Sequence, residues 1–329
     1  MGNEQKINAK VLIGKLILLI GIIIFISIFS SIFGSSNTLI GVVIITAILM
    51  FSSMNLSLEF KDAILGIIVF FSAMGITSYF VKYHPYIGIV IDFILVFLMT
   101  YIFSIDIKKK LYLPFILCYV FLQGSPATDS ELPTRVISLF IGGALVAIIY
   151  YLTHRKAEEE DRRTIKDMLS NIDIHSLQTN FSLRMAIGIT IAIFIGTIFD
   201  FTKGMWITST VLSLTQPYYN DIKEKIGQRL VGTVIGAIIF IILFNFLIPK
   251  SLDSIVLLVI GYIYSFIKPY KIQMIFVTLN SLAAAMILFD TSISVPMRIF
   301  FVIIGIVIAV LVNGPICKIY ENTHKEQVN

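Results

Sequence analysis

The sequence predicts an all-α polytopic membrane protein of about twelve transmembrane helices, arranged as two parallel six-helix repeats with both termini cytoplasmic. Three observations carry that expectation: pervasive apolar composition, a one-sided distribution of cations, and a pattern shared by the two halves.

Of 329 residues, 57% are hydrophobic and 14% charged, and apolar runs of membrane-spanning length recur from one end to the other. A soluble domain of this length could not bury so much apolar surface. The runs are continuous rather than alternating, which argues against a β-barrel. Lys6, Lys10 and Lys15 precede a first run ending near Phe33. No small-x-small cleavage site follows, so a retained helix is expected rather than a signal peptide. Cys118 and Cys317 are isolated thiols that suggest neither a disulfide framework nor a metal site.

Hydropathy places segments near 11–33, 38–53, 63–82, 86–105, 111–123, 134–153, 181–200, 205–216, 227–248, 252–268, 271–289 and 296–317. Three of them (38–53, 111–123 and 205–216) are shorter than the roughly twenty residues a span needs. With the N-terminus inside, the outer ends keep only Lys82, Arg135, Lys203, Lys250 and Arg298, and the other twenty of the 25 Lys and Arg fall inside. This split follows the positive-inside rule. It also accounts for the net charge of +5 without a nucleic-acid partner.

Pro133-Thr-Arg135-Val-Ile-Ser-Leu-Phe-Ile-Gly142 aligns with Pro296-Met-Arg298-Ile-Phe-Phe-Val-Ile-Ile-Gly305, Ile32-Phe33 with Ile198-Phe199, and Gly66 with Gly232. The offset drifts only from 166 to 163. Two units with an even number of spans enter from the same side, which makes them parallel repeats. The expected domains are residues 1–153, the first repeat; 154–180, a charged and partly helical cytoplasmic linker; and 181–329, the second repeat with a short tail.

Charges inside spans mark functional candidates. Asp92 lies within the fourth segment, where it reads either as a coupling carboxylate or as one reaching water or Lys82. Arg135 and Arg298 depart from the charge trend at matched positions. Each is either an outer-mouth carboxylate ligand or gate, or an arginine snorkelling to lipid phosphate. The stretch GMWITSTVLSLTQPYYND holds the only tryptophan. On a helical wheel Trp206, Ser209, Thr210, Ser213 and Gln216 fall within about 120°. This hydroxyl stripe reads as a pathway lining or as interhelical hydrogen bonding, and the shortness of the segment favours the pathway. Pro217 breaks the helix. Gly232 and Gly236, four residues apart, allow close helix approach, and Arg229 lies one turn before them. There is no Walker pattern, no G-x-S-x-G, no H-E-x-x-H and no clustered His/Cys set, so neither an enzyme nor a cofactor is expected.

Trp206 in a short polar segment, then Gln216-Pro217, then Gln228-Arg229-Leu-Val-Gly232-Thr233-Val-Ile-Gly236, resembles the core signature of the fusaric acid resistance protein family. That family includes aromatic acid exporters and is distantly similar to plant aluminium-activated malate channels. The resemblance implies an inner (plasma) membrane efflux component for aromatic or other organic acids, driven by the proton gradient. It points to Trp206, Pro217, Arg229, Gly232, Thr233 and Gly236. Many members carry large cytosolic domains after each helical half, whereas this sequence shows a linker of about 27 residues and a tail of about a dozen. Ile40 and Ala63 stand in the first half where Trp206 and Arg229 stand in the second, so the halves are not expected to be equivalent. The expected partners are membrane lipid and a small organic acid, with no nucleic acid, and a homo-oligomer is compatible with the reading. The competing functions are a passive organic-anion channel and a non-transporting structural or regulatory membrane protein.

Overall fold

The computed structural model describes residues 9–156, 162–286 and 289–326. Lys6, linker residues 157–161 and residues 287–288 of the eleventh apolar segment lie outside the described residues. The described chain is helical: α1 (Ala9–Phe33), α2 (Thr38–Ser53), α3 (Phe60–Tyr83), α4 (Pro85–Ile102), α5 (Leu113–Gly124), α6 (Leu132–His154), α7 (Ile165–Ser170), α8 (Leu177–Ile198), α9 (Met205–Leu214), α10 (Tyr219–Ile241), α11 (Asp253–Tyr264), α12 (Tyr270–Ala285) and α13 (Thr291–Glu326). Each apolar segment coincides with a helix, and α7 is an addition from the linker.

Among the described residues, eight helices are long and apolar enough to cross a membrane: α1, α2 with its preceding 3-10 turn, α3, α4, α6, α8, α10 with its π-helical extension to Leu247, and α13 as far as Cys317. The chain is therefore a multi-pass membrane protein. The other four apolar segments form shorter helices. α5 and α9 have 12 and 10 residues, about 18 and 15 Å of axis, against a hydrocarbon core of about 30 Å.

Local chemistry sets the helix starts and stops. Pro85, Pro114 and Pro133 occupy the first turns of α4, α5 and α6, where a missing N–H costs nothing. α9 stops because Pro217 disfavours the α conformation at Gln216, and the chain is already extended at Thr215 (φ −68°, ψ 111°). The linker is docked rather than loose. Arg163 exchanges backbone hydrogen bonds with Ser57 and Glu59 (3.1 and 3.0 Å), and Asp62 accepts from the N–H of Ile165 at 2.6 Å.

Contacts divide the chain into two compact units, which are not the two sequence halves: Met1–Phe25 with Lys223–Ile303, and Ile26–Ile222 with Ile304–Asn329. In the smaller unit α10 meets α12 through its glycines. A Cβ on Gly232 would lie 2.8 Å from the carbonyl oxygen of Lys271, and one on Gly236 2.7 Å from that of Ile275. Tyr262 on α11 donates to the carbonyl of Leu12 at 3.0 Å, and Lys15 donates to the carbonyl of Ser265.

In the larger unit α3 packs on α6, α4 on α8, α8 on α9, α2 on α6 and α5 on α9. Two close approaches stand at repeat-matched positions. Gly142 on α6 receives Ile44 of α2, and Gly305 on α13 receives Thr210 of α9. A Cβ at Gly142 would meet the movable end of Ile44 at 2.7 Å, whereas one at Gly305 would meet the carbonyl oxygen of Ile207 at 2.8 Å as well as Thr210 at 2.6 Å. A flexible side chain can give way and a helix backbone cannot. Gly305→Ala is therefore expected to destabilise the protein by about 1–3 kcal/mol, as overpacking does, and Gly142→Ala by less. Melting of both variants in detergent checks the order.

Candidate functional site

The break after α9 is built around a cation. Pro217 ends the helix, and the carbonyls of the non-helical residues Gln216 and Pro217 that follow it are bonded by Arg184 on α8. Its Nη1 donates to Gln216 O (2.8 Å) and to Asn313 Oδ1 (2.9 Å). Its Nη2 donates to Pro217 O (3.0 Å) and its Nε to Asn180 Oδ1 (2.8 Å). Asn313 in turn donates to Ala309 O at 2.8 Å. Arg184 is fully buried. Non-helical backbone at membrane depth persists only where protein satisfies it, and a guanidinium fork does so at several points.

Arg135 works the same way near the start of α6. It donates to Asn37 Oδ1 (2.7 Å), Ser125 O (2.6 Å) and Ser36 O (3.0 Å). It thereby holds the α1–α2 turn and the end of α5. With 2% exposure it does not snorkel to lipid. Just before α6, Glu131 accepts from the N–H and hydroxyl of Thr128 (3.0 and 2.9 Å), and these bonds hold its carboxyl below the usual carboxylate range.

Asp92 on α4 is buried, with 1% exposure. It neither reaches water nor pairs with Lys82; the hydroxyl of Tyr119 on α5 donates to its Oδ1. Gln123 lies one turn beyond Tyr119 on the same helix face, and it lines a cavity of about 440 Å³.

That cavity lies entirely within the larger unit, where the C-terminal ends of α3, α5 and α8 meet the turn into α9. Lys82 and Tyr83 come from α3, and Gln123, Gly124 and Pro126 from α5 and the residues after it. Ile193, Gly196 and Thr197 come from α8, Asp200, Phe201 and Thr202 from the turn, and Met205 and Thr208 from α9. Gly196 and Gly204 let the two backbones almost touch at its edge. A Cβ on Gly204 would lie 3.1 Å from Gly196 Cα. The turn is a Schellman motif: the N–H of Phe201 bonds Gly196 O (2.9 Å) and that of Asp200 bonds Thr197 O (3.2 Å).

The sequence-predicted residues are placed as follows. Trp206, Thr210 and Gln216 are buried, and Ser209 and Ser213 are half-buried. The three hydroxyls of this stripe bond back to their own helix: Ser209 and Thr210 to Trp206 O (3.1 and 2.8 Å), Ser213 to Thr210 O (3.0 Å). This is how Ser and Thr settle in apolar surroundings. From α9 the cavity is lined by Met205 and Thr208. Pro217 sits at the break that Arg184 holds. Arg229, Gly232, Thr233, Gly236 and Arg298 belong to the smaller unit, and the other candidates to the larger one. Arg229 and Arg298 are each 2% exposed and close enough for their charges to repel; Arg229 Nη1 lies 3.0 Å from Met274 Sδ. Sequence reasoning missed Arg184, Asn313, Asn37, Tyr119 and the cavity. The one available signal was Arg184 standing about two turns inside α8. Among the described residues, no group of three or more His, Cys, Asp or Glu is placed to hold a metal ion.

Residues 191–312 match the fusaric acid resistance protein-like family. The chain is also 25% identical, over 145 residues, to an uncharacterized protein of Haemophilus influenzae, covering 43% of this chain and 20% of that one. It is 34% identical over 76 residues to the uncharacterized protein YhfK of Escherichia coli K12, covering 23% of this chain and 11% of the relative. The chain thus matches a fifth or less of the length of these relatives. No solved structure matches it. The matched region contains the end of α8, the turn, α9 and its break, and Arg229 to Gly236. A membrane-helical chain with such a region supports membrane transport as the general function.

Proposed function

We propose, from a fusaric acid resistance protein-like region in a multi-pass helical chain, that the protein exports small organic acids, aromatic carboxylates among them, across the inner (plasma) membrane in exchange for protons. The observation that carries this reading is the cavity at the α8–α9 turn, whose wall residue Gln123 stands one helical turn from Tyr119, the hydroxyl donor to the buried Asp92. A cavity of this size suits a small organic molecule. A carboxylate withdrawn from water, on the hydroxyl of a tyrosine that shares a helix face with a wall residue, is a group that can exchange a proton as cargo moves. Lys82, a cation on the cavity wall, favours an acidic cargo. The matched approaches at Gly142 and Gly305 support two six-helix repeats, and the one-sided distribution of Lys and Arg supports cytoplasmic termini. Only 6% of the α1 span is buried, which suits a lipid partner.

The test is flux in proteoliposomes. An imposed pH gradient is expected to drive accumulation of an aromatic carboxylate such as 4-hydroxybenzoate, and collapse of the gradient to stop it. Flux that persists unchanged without the gradient would indicate a passive anion channel. Absence of flux for every organic acid tried would leave a structural role.

A further inference from the structure

We infer that, among organic acids, the cavity binds a zwitterion, an amino-bearing carboxylate with an apolar body, in preference to a simple organic anion. This rests on the reading of the cavity as the substrate site. Two opposite charges line its wall: Lys82 on the last turn of α3 and Asp200 in the α8–α9 turn. They line one cavity and form no ion pair with each other; the Lys82 ammonium lies 5.2 Å over the ring of Tyr83, itself a wall residue, and Asp200 is exposed. Asp129 is occupied by the hydroxyls of Tyr79 and Tyr83 (3.0 and 3.1 Å). Lys203 is half-buried, and that burial lowers its pKa from the ordinary lysine value.

Asp200 has a further peculiarity. It occupies the left-handed position of the Schellman motif, at φ 49°, where glycine is the residue without steric cost. An aspartate in that place gives up backbone comfort and brings a carboxylate to the cavity, and strain of this kind gathers at functional sites. A monocarboxylate would satisfy Lys82 and meet Asp200 as a like charge, while a simple amine would do the reverse. A molecule with both groups satisfies both, and weaker binding of the single-charge ligands follows from the charge each would leave opposed or unanswered. Tyr83, Phe201, Ile193 and Met205 supply the wall for the apolar body.

The experiment is isothermal titration of the detergent-purified full chain with L-phenylalanine, 3-phenylpropanoate and phenethylamine. Phenylalanine is expected to bind at least tenfold more tightly than either single-charge probe. Asp200→Gly, which relieves the backbone and so melts no lower than the native protein, should bring 3-phenylpropanoate to parity with phenylalanine. Lys82→Gln should do the same for phenethylamine. If 3-phenylpropanoate binds the native protein as tightly as phenylalanine and loses affinity in Lys82→Gln, the zwitterion is refuted while the organic-acid cavity stands. Phenethylamine binding as tightly as phenylalanine refutes the zwitterion and the acid cargo together. If no probe binds, or none responds to either substitution, the cavity is not the substrate site and both readings fall.

Discussion

Replacing Arg184 with glutamine is expected to cost about 2–5 kcal/mol of stability. The guanidinium reaches four acceptors, Gln216 O, Pro217 O, Asn180 Oδ1 and Asn313 Oδ1, at 2.8 to 3.0 Å. Even at the ~0.6 kcal/mol typical of one interhelical bond in a membrane, four such bonds exceed about 2 kcal/mol. A buried acceptor left without any donor costs about 1–3 kcal/mol, and glutamine can answer at most two of the four. Two of the acceptors are carbonyls of the non-helical residues between α9 and α10, which have no helix ladder to return to. The loss should appear as a lower melting temperature in detergent and a broadened size-exclusion peak. Arg184→Lys should fall between the two, because an ammonium is a point donor that cannot span the fork. If Arg184→Gln melts with the native protein, the break is held by something else.

Asp92→Asn is expected to lower gradient-driven flux at least tenfold while leaving the protein folded. The amide oxygen of asparagine can still accept from Tyr119, so packing at the α4–α5 contact is retained and only the exchangeable proton is lost. Tyr119→Phe keeps the carboxyl but removes the hydroxyl that donates to it. Flux should then fall by less than in Asp92→Asn, because the exchangeable proton remains while only its positioning is lost. Flux is to be measured in proteoliposomes across a series of internal and external pH values. Native flux in both variants would remove Asp92 from any coupling role.

Most of the fold is legible from hydropathy, and the exceptions are instructive. Each apolar segment became a helix because burial in lipid and internal hydrogen bonding act on a continuous run of residues. Pro217 announces the end of α9 for an equally local reason. Arg184, by contrast, reads in sequence as one more inner cation, since Asn313 lies 129 residues away. The wheel of α9 put its hydroxyls on one face correctly, yet those hydroxyls bond to their own carbonyls, and it is Thr208 that lines the cavity. A wheel states which residues share a face and leaves open which neighbour covers it. The positions of Asp92 and Arg135 inside or beside spans marked them as candidates, but Tyr119 and Asn37 carry no charge and gave no warning.

From sequence alone come the membrane class, the helical segments, the break at Pro217 and the resemblance later matched at residues 191–312. These depend on composition and on the conformational limits of neighbouring residues, which one stretch of chain displays in full. Tertiary structure decided where the polar groups go. It buried Arg135 and Arg184 on the carbonyls of helix ends, paired Asp92 with Tyr119, and left Lys82 and Asp200 on the wall of a cavity. A helix end or a buried charge must be satisfied by whatever the fold brings beside it, and that neighbour is set by packing rather than by position along the chain.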